Sequence, residues 1–175
     1  MVRGGFTCFL SKHGKIKGFD FTEKSVVLAR QLAKHLGKDI SFEVDDITQK
    51  RHRGKFDYIF SIGVLHSIPE VDKALENIKM MMNKDSLFIV SVYNLYSNFY
   101  KSFKARKLKK GENISRYMDD YEHPYEILYK RNEFKRLLES HGFEVVGEWR
   151  KIPSIIRLLT GKGKMMTFCT KLKDL

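Results

Sequence analysis

The sequence predicts an α/β domain, on three observations. Apolar residues switch repeatedly between a spacing of two and a spacing near 3.6, the mark of strands alternating with helices. Two apolar runs, at residues 56–62 and 87–92, are nearly continuous, as in strands covered on both faces. At 175 residues, with 42% hydrophobic and 31% charged, the chain can bury one sizeable core and suits one domain. The apolar content is too high for a disordered chain.

The elements follow in order. Residues 5–13 predict a short helix after a glycine turn, and residues 15–19 a short strand with Asp20 at its end. Thr22 suits a helix N-cap and Glu23 the positive end of the helix dipole. Val26, Ala29, Ala33 and Leu36 recur at helical spacing, and Gly37 fits the C-terminal cap. Ile40, Phe42 and Val44 alternate as a strand closed by Asp45 and Asp46, before a basic loop at 50–55 and the first apolar run. Pro69 opens a helix with Val71, Ala74, Leu75, Ile78 and Met82 on one face. After the second run, residues 94–129 interleave aromatic and basic side chains over a length unsuited to a plain connection; they predict an inserted, partly helical lid. Asn132 then caps a helix carrying Phe134, Leu137 and Leu138, and strands at 143–149 and 165–170 complete the chain.

Charge is the least ordinary feature. Thirty-three Lys and Arg against 21 Asp and Glu give +12, which favours anionic partners. No apolar stretch approaches the roughly 20 residues of a membrane helix. The first ten residues are too short and interrupted for a signal peptide, so a cytoplasmic location without membrane attachment is expected. Cys8 and Cys169 form no CxxC or Cys/His cluster and read as reduced, half-buried thiols. No metal is expected.

Four segments carry a resemblance. They are Lys17-Gly-Phe-Asp20-Phe-Thr22, Phe42-Glu-Val-Asp-Asp46-Ile, Phe56-Asp-Tyr-Ile-Phe-Ser61-Ile-Gly63-Val-Leu-His66-Ser-Ile-Pro69, and Gly142-Phe-Glu-Val-Val146 after a helix. In that order and spacing they resemble a class I S-adenosylmethionine-dependent methyltransferase. The resemblance covers most of the chain. It implies a Rossmann-like three-layer α/β sandwich, mostly parallel with an antiparallel last strand, and a single domain over residues 1–175. It also implies S-adenosylmethionine as cofactor, with ligands beyond the carboxyl ends of the strands.

Site roles follow from the same resemblance. Asp20 would accept from the ribose hydroxyls and Phe21 would pack on adenine. Asp46 or its neighbour Asp45 would accept from the adenine amino group, and Ile47 would line the ring. Ser61, Ile62 and Gly63 would pass their backbone beside the methionine moiety, and Gly4 and Gly5 resemble the tail of the family's glycine-rich loop. These residue types suit the ligand on their own terms, since adenosine offers a diol, an amino group and an apolar ring. His123, in an Asp/Glu/His-rich turn, and His66 are candidate acid–base or positioning groups, each with a plain packing or turn role as the alternative. Methyl transfer asks little more, because the donor is already activated and alignment supplies much of the rate.

The resemblance departs at the start. The family's first strand and most of its glycine motif are missing, with Val2 where a glycine would stand, and loss of a central strand implies unpaired edges. Three accounts are open: a fragment of a longer methyltransferase, a chain completed by a partner or a second copy, and a degenerate relative without cofactor. The expected reaction is methyl transfer to a small-molecule or metabolite acceptor. An RNA or tRNA acceptor, suggested by the charge, a non-catalytic subunit, and a nicotinamide-dependent enzyme are the alternatives.

Overall fold

The computed structural model describes residues 4–96, 127–149 and 165–173. They fall into two compact units divided after Ile47.

In the first unit, helix α1 (Gly5–Leu10) runs into a short 3-10 turn and is followed by β1 (Lys17–Asp20), α2 (Glu23–His35) and β2 (Ser41–Val44). β1 and β2 pair in parallel, Lys17 opposite Ser41 and Asp20 opposite Val44. Thr22 is the α2 N-cap, as its sequence position predicts. The other end closes on Gly37 at φ 62°: Lys38 N–H donates to Ala33 O and Gly37 N–H to Lys34 O. These two bonds make a Schellman cap, which needs the left-handed backbone that glycine adopts freely. Val26, Ala29 and Ala33 of α2 meet Cys8 and Phe42 in the buried core. Val44, expected to share the buried face with Phe42, is exposed. With one helix layer to cover it, this two-stranded sheet buries one residue of β2, and the alternation ends there.

The second unit holds β3 (Phe56–Ile62), α3 (Val71–Met80), β4 (Met82–Tyr93), α4 (Arg131–Ser140), β5 (Phe143–Trp149) and β6 (Met165–Leu172). Strand order is β3-β4-β6-β5. β3 and β4 are parallel, while β6 is antiparallel to both β4 and β5. One strand, the last, therefore runs against the other three, the mixed pattern expected of this α/β class. Phe88, Phe134, Phe143 and Phe168 are among the largest fully buried side chains. Phe134 sets its ring 4.9 Å from Tyr129 and 5.7 Å from Phe168.

Three details differ from the sequence reading. β4 begins at Met82, five residues before the apolar run, because Ser86 Oγ accepts from Asn83 N–H and donates to Phe56 O, tying the irregular start to β3. The α4 N-cap is Lys130 rather than Asn132, with Glu133 accepting from the Lys130 N–H. β3 is not covered on both faces: Tyr58 is 61% and Phe60 39% exposed. It is an outer strand of its sheet. No helix among the described residues is long and apolar enough to cross a membrane.

His141, at the end of α4, clasps α3. Its Nδ1 lies 2.7 Å from Glu76 and its Nε2 2.8 Å from Asp72. Burial works against the imidazolium, but the hydrogen bonds and charges of Glu76 and Asp72 outweigh it and raise the pKa above its ordinary 6.5. The clasp therefore stabilises the fold fully below about pH 6.5 and is lost as pH rises through the raised value. Because both carboxylates are well exposed, the effect is under about 1 kcal/mol. Thermal melts from pH 5.5 to 8.5 should show a falling Tm in the wild type and a flatter profile in His141→Gln.

Candidate functional site

The parallel pairing of β1 and β2 sets two acidic strand ends side by side. Asp45 N–H donates to Asp20 O at 3.0 Å, so the chain leaving β2 begins beside the carboxyl end of β1. Asp20 is exposed, and its Oδ1 accepts from Thr22 N–H and Thr22 Oγ1, both at 2.9 Å. That turn holds the carboxylate in a fixed direction while Oδ2 makes no bond to any described residue. Phe21 follows with its ring 73% exposed. Asp45, Asp46 and Ile47 are half-buried. The structure thus brings together Asp20, Phe21 and the start of the 45–47 turn: carboxylate oxygens beside an apolar ring facing water.

Two supports of this arrangement escape the sequence reading. Thr22 orients Asp20, and Asp-x-Thr spacing at a strand end is a signal that could have shown it. Arg30 of α2 donates through Nε and a terminal nitrogen to Phe42 O at 3.1 and 2.5 Å, tying β2 to the helix.

Gly4 and Gly5 stand at the entrance to α1. Gly4 has φ 77°, and a Cβ there would lie 2.8 Å from Ala29 Cβ and 3.0 Å from Ala29 Cα. The glycine is required by the close approach of α1 to α2, whatever else it does.

In the second unit, Ser61 and Ile62 end β3 and Gly63 follows. Ser61 is buried, and Gly63, at φ 73°, donates its N–H to Ser91 O at 3.0 Å. His66 follows in a short 3-10 turn, 1% exposed, stacked on the Tyr93 ring with centroids 4.0 Å apart. This is the packing position at a strand-to-helix junction that the sequence leaves open. Its carbonyl accepts from Ile127 N–H, and Tyr129 N–H donates to Tyr93 O. The chain just after β4 and the chain just before α4 are therefore tied together at the carboxyl end of β4, next to the turn after β3. His123 and the body of the 94–129 segment, read from the sequence as an inserted lid, lie outside the described residues.

The basic loop divides its labour. Arg53 is buried and donates to Gln49 O and Arg51 O, and Lys55 donates to Met82 O. Lys50, Arg51 and His52 are exposed. Both cysteines are buried as free thiols, and burial raises their pKa values.

Two parallel strands ending in acidic turns, with a glycine-entered helix packed on α2, are the start of a nucleotide-binding α/β arrangement. A family model described as a methyltransferase domain matches residues 4–142. The chain belongs to the methyltransferase domain family. Ubiquinone biosynthesis O-methyltransferase of Agrobacterium fabrum is 24% identical over 134 residues, covering 75% of this chain and 51% of that protein. The chain spans about half the length of the curated relatives it matches. An S-adenosylmethionine-dependent methyltransferase from Clostridium acetobutylicum superposes with a TM-score of 0.72 at 13% identity, covering 98% of this chain and 81% of that one. Magnesium protoporphyrin IX methyltransferase from Synechocystis PCC 6803, solved with bound S-adenosylhomocysteine, gives 0.71 at 16% identity, covering 98% and 70%. At these identities the solved structures show a shared fold, the class I methyltransferase type.

Proposed function

We propose that this chain is the cofactor-binding part of an S-adenosylmethionine-dependent methyltransferase that acts on a small-molecule acceptor. The observation that carries the reading is the joined carboxyl end of β1 and β2, where Asp20, Phe21 and Asp45 converge. A ribose diol needs a fixed carboxylate, and Asp20 is held by Thr22 with one oxygen to spare. Phe21 offers its exposed ring to adenine, and Asp45 or Asp46 offers an acceptor for the adenine amino group. Ser61, Ile62 and Gly63 are assigned by resemblance to the methionine end, and the positive φ of Gly63 suits a close backbone approach. The cofactor supplies an activated methyl group; these residues orient and bind. The names of the curated relatives, ubiquinone biosynthesis O-methyltransferases, support a small-molecule acceptor.

Calorimetric titration of the chain with S-adenosylhomocysteine, with NAD as control, tests the reading. Binding of the first alone is expected. Asp20→Ala should weaken it about 10- to 100-fold, since a hydrogen bond to a charged group is worth roughly 1.5–3 kcal/mol. Absence of binding by a folded chain, or unchanged affinity in the variant, counts against the assignment. The net charge of +12 and the exposed Lys50, Arg51 and His52 favour an RNA acceptor as second reading. That reading requires RNA binding that falls steeply with salt, which the same instrument measures.

A further inference from the structure

The loop at residues 50–55 places Lys50, Arg51, His52, Arg53 and Lys55 within six positions, with no acidic residue among them. Part of that charge serves the fold. Arg53 is buried and curls the loop by donating to Gln49 O at 3.0 Å and to Arg51 O at 3.3 Å. Lys55 donates to Met82 O at 2.8 Å and Phe56 N–H to Met81 O at 3.0 Å, which moors the loop to the junction of α3 and β4. Gly54 turns the chain between them at φ 83°. Lys50, Arg51 and His52 stay on the surface. Cations set this close repel one another, and an anion held among them relieves the repulsion.

The mooring leaves a cleft of about 290 Å³ between this loop and the end of α3, where Met80 and Met81 form the second wall. Met80 is 41% exposed, a long apolar side chain open to solvent beside a cationic rim. Among the described residues no carboxylate lines the cleft. Its volume falls at the small end of ligand pockets, roughly 300–1,000 Å³, and suits a phosphate with one ring system. The cleft lies at the amino end of β3, whereas Ser61 and Gly63 lie at the carboxyl end, about 20 Å away along a strand of seven residues. S-adenosylmethionine has no phosphate and carries a positive sulfonium, so the proposed methyl donor does not account for these charges.

We infer that this cleft binds an organic phosphate carrying a flat ring, about one nucleotide in size. Lys50 and His52 donate N–H groups to the phosphate oxygens, and the ring packs on Met80, whose soft thioether suits aromatic contact. Arg53 and Lys55 keep the loop in shape beneath it. Such a ligand has two sources, a free nucleotide and a residue of an RNA chain. The inference uses none of the residues assigned to the methyl donor and stands whether or not the methyl-transfer reading does.

The test is a nuclear magnetic resonance titration of the isotope-labelled full chain at low salt, with S-adenosylhomocysteine in excess. The probe is uridine monophosphate, because a pyrimidine does not compete for an adenine site. Amide shifts are expected to cluster in residues 50–55 and 79–82 and to leave residues 61–63 unmoved. Uridine, which lacks the phosphate, should bind about tenfold more weakly or worse. Lys50→Gln combined with His52→Gln should weaken the nucleotide about tenfold, and both side chains are exposed, so the fold should survive. Met80→Ser should weaken the nucleotide and leave inorganic phosphate unchanged, which separates the ring contact from the charge. A short oligouridylate identifies the source: tighter binding than the mononucleotide points to an RNA chain and equal binding to a free nucleotide, and both uphold the site. Four results overturn the inference: no shifts in residues 50–55, uridine bound as tightly as its phosphate, unchanged affinity in the Lys50 and His52 variant, or shifts scattered over lysines across the whole surface.

Discussion

Phe134→Ala is expected to remove about 3–5 kcal/mol of stability, the range for truncating a fully buried phenylalanine in a core that cannot collapse. Phe134 is 0% exposed, and its ring bridges Tyr129, just before α4, to Phe168 on β6. It therefore holds α4 to the sheet and packs on Tyr129, whose backbone is tied to Tyr93. Domains of this size have roughly 5–15 kcal/mol in total, so the loss takes a large share. The urea midpoint should fall steeply in the variant. Phe134→Leu, which keeps much of the apolar volume, should lose only about 1.5 kcal/mol. A drop under about 1 kcal/mol for the alanine variant would mean that neighbouring side chains refill the space and that the ring does not anchor α4.

The importance of Phe134 is legible in the sequence, because Phe134, Leu137 and Leu138 fall on one helical face and α4 forms there. The same kind of pattern misleads at β3. An apolar run reports what neighbours a strand is suited to, and carries no word on whether those neighbours are present. Residues 56–62 have the composition of an enclosed strand and the position of an edge strand. At Val44 alternation overreaches for a related reason, since a face is buried only as far as something covers it.

Of the candidate site, the parts that depend on strand ends could be read directly. Asp20 and the 45–47 turn lie where parallel strands deliver their carboxyl ends, and pairing then brings them together. What could not be read depends on contacts between distant residues. His66 stacks on Tyr93, 27 positions away, and nothing in its local sequence chooses between that and a role toward substrate. Gly4 resembles the tail of the family's glycine-rich loop; its closest constraint is Ala29 on a different helix.

Gly18 is the sharpest case of a residue whose role the sequence hides, and Gly18→Ala should destabilise the first unit by about 1–3 kcal/mol, the range for forcing an extra group into a packed core. Gly18 pairs with Phe42 across the β1–β2 ladder. A Cβ at Gly18 would lie 2.6 Å from Phe42 Cε1 and closer still to Cδ1. The ring cannot swing clear freely, because Phe42 is buried against Cys8, Val26, Ala29 and Ala33. The strain falls on a two-stranded sheet, which has little stability of its own to absorb it. It also falls two residues before Asp20, so the variant should loosen the turn that holds the carboxylate. Hydrogen exchange in residues 17–20 and 41–44 should quicken, and affinity for S-adenosylhomocysteine should drop with it. A double-mutant cycle separates this collision from a general loss of strand quality. Phe42→Leu costs stability alone but makes room at Gly18, so Gly18→Ala on that background should cost less than on the wild type by about 1 kcal/mol or more. Equal costs on both backgrounds would show that the two positions do not interact, and that the glycine serves the strand in some way other than clearing space for the ring.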